Sequence, residues 1–290
     1  MSSTVPSFLR ACLSARLTPD IDAWVTQSCQ LIESGDAKQL ALRFGLASRR
    51  VGKAQLELTP DERNEAEILS PGWNPGLWSL TEAVRTLFVL SFPHDDPAVY
   101  QATLDKLFAT GEVAEMIALY QALPLLPCPE RFVDRAGEGI RTNIKSVFAA
   151  VAHHNSFPAA HLAEGMWNQM VLKCLFVELS LFPIVGLDAR RNAELSRMLS
   201  DYAHERWAAK RSVHPELWRC VDIDLTPAAE QDFQKVIQEG SAVEQEAVGL
   251  SLARSKSAAA HKLLAEIPEI AERIKSGKLS WESLVVRLAG

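Results

Sequence analysis

Glycine is scarce in this chain, 14 among 290 residues, and the glycine-built loops are missing with it. There is no Gly-x-Gly-x-x-Gly turn for a dinucleotide, no Walker loop for a nucleotide phosphate and no Gly-x-Ser-x-Gly elbow for a nucleophilic serine. His-Glu-x-x-His is absent as well, so no metal and no cofactor is indicated by motif. Cysteine is sparse and unpaired: Cys12, Cys29, Cys128, Cys174 and Cys220 are odd in number, far apart and form no Cys-x-x-Cys. That pattern excludes a disulfide scaffold or a zinc module and reads as a reduced, cytoplasmic protein. Positive charge is not in excess either. Thirty Lys and Arg against 36 Asp and Glu leave a net charge of −6, which argues against nucleic acid as a partner, since that needs a basic face to displace counterions. Long apolar runs are lacking too. The longest, residues 170–186, is interrupted by Lys173, Glu178 and Pro183, so it reads as a core helix and not a bilayer span. Arg10 and Arg16 likewise break the N-terminal apolar stretch that a signal peptide would need.

What the chain does have is helical periodicity nearly everywhere, with 48% apolar and 23% charged residues, so the expected class is all-α. Helix starts are marked by Thr18-Pro19, Thr59-Pro60, Asp96-Pro97 and Thr226-Pro227, an N-cap followed by proline at the first helical position. Thr59 with Glu62 fits a capping box. From these starts helices are expected near 7–16, 19–33, 36–51, 60–69, 78–91, 97–109, 112–122, 129–154, 159–182, 188–210, 228–239, 242–254, 258–275 and 281–288. Short connections favour antiparallel neighbours, and no fixed repeat length aligns, so an irregular α-solenoid-like array of helix pairs is the expected architecture. The interruption at 212–225, with its alternating Val221–Leu225, reads as linker. It divides a helical array at 1–211, which contains the motif region 130–211, from a smaller helical segment at 226–290.

The chemistry concentrates in residues 131–173. On a helix at about 100° per residue, Phe132, Val133, Ala136, Ile140, Ile144, Val147 and Val151 share one face. Arg131, Asp134, Arg135, Glu138, Arg141, Thr142 and Lys145 share the other. That charged arc reads either as a solvated face with short-range ion pairs or as an anion-contacting surface, for which arginine's planar fork is suited. Gly137 and Gly139 each cost a helix about 1 kcal/mol against alanine, which points to close backbone approach or a local break. Further on, residues 162–182 are apolar nearly all round and should be buried, yet carry Asn168, Gln169 and Lys173, with Glu164 one turn before Asn168. Buried groups of that kind need partners, supplied by an internal network or by a ligand. Between the two helices lie His153 and His154. Adjacent histidines diverge on a helix and make a poor metal pair; capping, packing, or acid–base work by one of them are the roles open to them. Asp95-Asp96 beside His94 has no carboxylate one turn on and reads as an N-cap, and the stripe Asp201–Glu205 around His204 reads as surface.

The run RFVDRAGEGIRTNIKSVFAAVAHHN, continuing into WNQMVLK and IVGLDARRNAELSRMLSDYAHERWAA, resembles the EboA family of the bacterial Ebo clusters, the "edible" locus of pseudomonads. The resemblance is specific over residues 130–221, weaker over 36–129 and poorest after 225. It implies a genetic setting beside a UbiA-like prenyltransferase, a sugar-phosphate cyclase resembling dehydroquinate synthase and metal-dependent hydrolases. It also implies a role in making or moving a small secreted metabolite, in cyanobacteria a sunscreen pigment placed outside the cytoplasm. No activity and no catalytic residue come with it. The positions it carries over are Asp134, Arg135, Glu138, Arg141, Asn143, Lys145, His153, His154, Asn155, Trp167, Asn168 and Lys173.

Two functional expectations follow. In the first, a cytosolic helical accessory protein binds a polar or phosphorylated intermediate or a partner enzyme. Its contacts are Arg135, Arg141, Asn143, Lys145, Asn155, Trp167, Asn168, Gln169 and Lys173, with Phe157 and Trp167 as an apolar wall. In the second, an enzyme of the same pathway uses His153 or His154 as acid–base, oriented by Glu138 or Asp134.

Overall fold

The computed structural model describes residues 4–222, 224 and 228–289, of Ala289 the backbone alone. Among them are seventeen α-helices and four short 3-10 turns, and no strand; one isolated bridge joins Gln55 to Ser79. The all-α class read from the periodicity holds. No helix among the described residues is long and apolar enough to cross a membrane. The chain forms two compact units, Met1–Leu162 and Ala163–Gly290. The compositional boundary between 211 and 226 falls within the second of them.

In the first unit α1 (Val5–Ser14), α2 (Pro19–Glu33), α3 (Ala37–Val51) and α4 (Pro60–Leu69) precede α5 (Leu80–Ser91). Then come α6 (Pro97–Thr110), α7 (Val113–Ala122), α8 (Val133–Arg141), α9 (Lys145–Ala152) and the short α10 (Phe157–His161). In a plain stack of helix pairs each helix would touch its sequence neighbours. Here α5 packs on α1, α2, α3 and α7, because Ala83, Val84, Leu87, Phe88 and Val89 leave it no solvent face. Arg85 is buried on the same helix and ties it to α3 and α7, donating to the carbonyls of Phe44 (3.1 Å) and Ala114 (2.9 Å).

The second unit comprises α11 (Glu164–Phe176), α12 (Ala193–Ala208), α13 (Ala229–Glu239), α14 (Ala242–Arg254), α15 (Ala258–Ala265), α16 (Pro268–Lys275) and α17 (Trp281–Ala289). Its centre is α14, packed on the 3-10 turn Pro215–Arg219 and on α13, α15, α16 and α17.

Helices begin at Pro19, Pro60 and Pro97, and two of the three caps bond through their side chains, Thr18 making no side-chain cap bond. Thr59 and Glu62 form the capping box, and Asp96 accepts from the amides of Ala98 (2.9 Å) and Val99 (3.2 Å), an N-cap as expected. Thr226-Pro227 lies outside the described residues, as do Ile223 and Leu225 of the supposed linker. Four expected helices are shorter or divided. The one at 129–154 breaks at Thr142, whose hydroxyl accepts from the Ile144 amide (3.2 Å) and offers the backbone an alternative to the helix. Residues 159–182 do not form one helix: α10 ends before an extended Leu162, and α11 stops at Phe176. It stops in a Schellman turn, the Leu179 amide on the Cys174 carbonyl (2.8 Å) with Glu178 left-handed at φ 56°, and the Leu181 and Phe182 amides and the Ser180 hydroxyl then donate to the buried Glu216 carboxylate, at 2.7, 3.2 and 2.8 Å. The helix expected from 188 begins at Ala193, after Asn192 as N-cap. The one at 258–275 divides before Pro268.

Candidate functional site

In the first unit the charged arc lies on α8, opposite the buried Ala136, Gly137, Gly139 and Ile140. The two glycines do not break the helix, and Gly139 lets it approach its neighbours. A Cβ on Gly139 would stand 2.6 Å from Val151 Cγ2 and 2.7 Å from the Tyr120 ring. Arg131 on that arc donates to Gln101 (3.1 Å), and Arg135 is bound more fully. Its guanidinium donates to Asp105 (2.7 Å) and Glu138 (2.7 Å) and lies 5.7 Å from the Phe108 ring centre. Burial works against its charge, but the two carboxylates outweigh that and hold its pKa above the ordinary value. Glu138 is thereby engaged with Arg135, while Arg141, Asn143 and Lys145 stand exposed around the break between α8 and α9.

At the C-terminus of α9 His153 has extended backbone and its amide closes the helix on the Ala149 carbonyl (2.8 Å). His154 follows in the left-handed region at φ 51°, half-buried, and burial holds its pKa below the ordinary value, so the ring is neutral at neutral pH. The two rings diverge, with centres 6.4 Å apart and planes at 78°, as adjacent residues should. Asn155 is fully buried and holds the corner. Its amide donates to the carbonyls of Tyr120 (2.9 Å) and Ala150 (3.0 Å), and its oxygen accepts from the Phe157 amide (3.0 Å). Every polar atom of that side chain is committed to backbone.

In the second unit the stripe on α11 separates. Asn168 is buried, Lys173 is half-buried with burial lowering its pKa, and Gln169 is exposed, so α11 is not enclosed all round as its composition suggested. Asn168 exchanges two amide hydrogen bonds with Asn192 (3.1 and 2.8 Å), the residue that caps α12 by accepting from the Leu195 amide (2.8 Å). Beside this pair Trp167 is fully buried, its indole N–H has no hydrogen-bond partner among the described residues, and Arg190 lies 4.7 Å over its ring centre.

The loop that carries Arg190 also builds a guanidinium cluster that sequence reasoning did not assemble. Asp188 receives Arg219 bidentately (3.1 and 2.7 Å) and Arg254 at 3.4 Å. Arg191 pairs with Asp222, and Arg254 also donates to the Arg219 carbonyl. Arg219 is flanked by the rings of Phe182 (5.5 Å) and Trp281 (5.7 Å). Burial raises the Asp188 pKa, but hydrogen bonding from Arg219 and the charges of Arg219, Arg254 and Arg191 bring it below its ordinary value. For Arg254, burial and then the repulsion of Arg191 push the pKa down to about 10. Thus three guanidinium groups converge on two carboxylates, and among the described residues two buried nitrogens, Arg219 Nη1 and Arg254 Nε, lack a hydrogen-bond acceptor, Arg254 Nε lying 4.0 Å from Asp222 Oδ2. Asp224, nearby and exposed, spends its carboxylate on Ser255 and Lys256. The only early signal was the motif Leu187–Asn192 itself; its partners stand some thirty and sixty residues further on.

A histidine–carboxylate pair also exists, away from His153 and His154. His204 Nε2 on α12 lies 2.5 Å from Oδ1 of the buried Asp232 on α13. Among the described residues no three His, Cys, Asp or Glu side chains gather as a metal site needs. No curated protein and no solved structure matches the chain. A sequence model of one family, described as metabolite traffic protein EboA, matches residues 5–222.

Proposed function

The chain belongs to the EboA family of metabolite traffic proteins, and from that premise we propose that it is a cytosolic accessory protein that binds an anionic, polar or phosphorylated intermediate while a secreted small metabolite is made or exported. The observation that carries this reading is the convergence of three guanidinium groups in the second unit, Arg191, Arg219 and Arg254, on Asp188 and Asp222. A planar donor fork with an unmatched nitrogen is suited to a phosphate or carboxylate oxygen, and the half-exposed Asp188 occupies the position such an anion would take. Arg190 over Trp167, with Asn168, Gln169 and Lys173 on α11, supplies further contacts in the same unit. Arg135, Arg141, Asn143 and Lys145 of the first unit remain candidates for a second contact surface, with the buried Asn155 holding the corner beside them. The cluster-encoded prenyltransferase, cyclase and hydrolases are the candidate partners between which the ligand would pass.

Calorimetric titration and thermal melting with inorganic phosphate and with glucose 6-phosphate test the proposal. Saturable binding should raise the melting temperature by mass action. Arg219→Lys and Arg190→Gln should each weaken it about tenfold, the effect of one charge-assisted hydrogen bond. A melting temperature indifferent to both probes would sink the reading.

A second reading, an enzyme of the same pathway, is favoured by one observation, the His204–Asp232 pair. A buried carboxylate that fixes an exposed imidazole is the arrangement of a general base. Turnover of cluster-cell extract by the wild type, lost in His204→Gln with binding retained, would support it; identical mass profiles with either protein would discard it.

A further inference from the structure

Beside that pair, in the second unit, the C-terminal turn of α12 and the facing ends of α13 and α14 enclose a cleft of about 330 Å³, at the small end of the range for organic ligands. Its apolar lining comes from Trp207, Val213 and Val236, the two valines being buried. Trp207 is held in place by stacking on the buried Trp218, ring centres 5.7 Å apart and planes at 27°. Its polar lining includes three cations, Lys210, Arg211 and Lys235, the last with its ammonium 4.3 Å from the Trp207 ring centre. Against them stand Glu239 and Glu244, and Glu244 is committed to the capping box at Ser241 (2.9 Å to the Ser241 amide). The charge left over in the cleft is positive.

The backbone adds an independent observation. Helix α12 ends in a Schellman turn, with the Arg211 amide on the Arg206 carbonyl (2.9 Å) and the Lys210 amide on that of Trp207 (2.9 Å). The left-handed position of that turn, φ 53°, is one that glycine fills without strain, and here it holds Lys210. The adjoining segment is fixed by Arg206 donating to the Ser212 carbonyl (2.9 Å). Helix-end electrostatics account for a cation in the last turn but not for placing it at the one strained residue. A lysine stands at 210 against the backbone preference, as a glutamate does at 178, and the lysine lines the cleft.

We propose that this cleft is a binding site for a compact organic anion, an acid group on a small apolar body, with Lys210, Arg211 and Lys235 taking the acid and Trp207, Val213 and Val236 the body. The site is separate from the guanidinium cluster and shares no residue with it. Benzoate and phenyl phosphate serve as probes, distinguishing a carboxylate head from a phosphate head; inorganic phosphate tests the head alone and benzylamine the sign of charge. Titration of the full chain, followed by the Trp207 indole resonance, should show saturable binding of benzoate or phenyl phosphate, weaker binding of inorganic phosphate and none of benzylamine. Lys210→Gly is the decisive variant. It relieves the backbone, so the melting temperature should stay level or rise, while affinity falls about tenfold. Arg211→Gln should act in the same direction. If neither aromatic anion saturates the protein, if benzylamine competes equally, or if Lys210→Gly binds like the wild type, the assignment is wrong.

Discussion

At the scale of single residues the clearest case is Gly139. Its helical position was conspicuous in the sequence, as a residue that weakens a helix with no evident return. The structure supplies the reason in Tyr120 and Val151, which pack where a Cβ would be. Gly139→Ala is expected to destabilise the protein by about 1–3 kcal/mol, the range for overpacking, with an unchanged denaturant slope in urea titration. A loss below a few tenths of a kcal/mol would mean that α8 moves away freely. The anomaly was legible; its partners were not, because they sit on α7 and α9 and nothing in residues 137–139 names them. Asn155 shows the opposite limit. It entered the expected ligand contacts as one of the positions of the family resemblance, and its donors and acceptor are used by backbone groups of Tyr120, Ala150 and Phe157. Which of those uses an asparagine serves depends on how the chain returns to it.

At the scale of helices, starts were easier to read than ends. A Thr-Pro or Asp-Pro start is local chemistry within four residues, and Thr59 with Glu62 illustrates it. The end of α11 is a turn with a glutamate, Glu178, in the left-handed place where glycine would mark it, and the loop beyond is fixed by Glu216, some thirty-five residues away. No periodicity argument contains that bond. Glu62 also reaches beyond its own cap: Arg16, in the turn after α1, donates to it at 3.0 and 2.5 Å and ties that turn to α4. Principally through that guanidinium, and against a smaller cost of burial, the Glu62 pKa falls from 4.5 to about 2. A carboxylate whose pKa is depressed by folding contributes stability above its unfolded value and loses it as pH drops through the folded one. Glu62→Gln should therefore be less stable than the wild type at neutral pH, on the order of 1–2 kcal/mol. The two proteins should converge between about pH 4.5 and 2. Melting curves across that window check it, and a difference independent of pH would refute the ion pair's role.

For the molecule as a whole, class was readable from what the sequence lacks, since few glycines and unbroken helical periods leave little room for a sheet. The arrangement around α5 and α14 was not, because an apolar face is the same whether it meets a sequence neighbour or a distant helix. The cysteines offer a measure of global opening. Cys12, Cys29, Cys174 and Cys220 are buried, and burial raises the pKa of each thiol, to about 12 for Cys12, Cys174 and Cys220; Cys128 is part-exposed. Ellman's reagent at neutral pH should titrate one thiol rapidly in the native protein and all five in denaturant, the slow four reporting unfolding. Rapid reaction of two or more native thiols would contradict the burial described.

The guanidinium cluster has one further consequence. Family likeness extends over residues 5–222, and Asp188, Arg191, Arg219 and Asp222 all lie inside that span. Arg254 does not, although it completes the cluster by binding both Asp188 and the Arg219 carbonyl, and Ser251 on the same helix donates to the Trp218 carbonyl. The frontier drawn by common descent and the frontier drawn by charge therefore differ. A chimera that keeps residues 5–222 and borrows an unrelated helical tail would inherit the recognisable signature intact, yet its arginine fork would be one prong short.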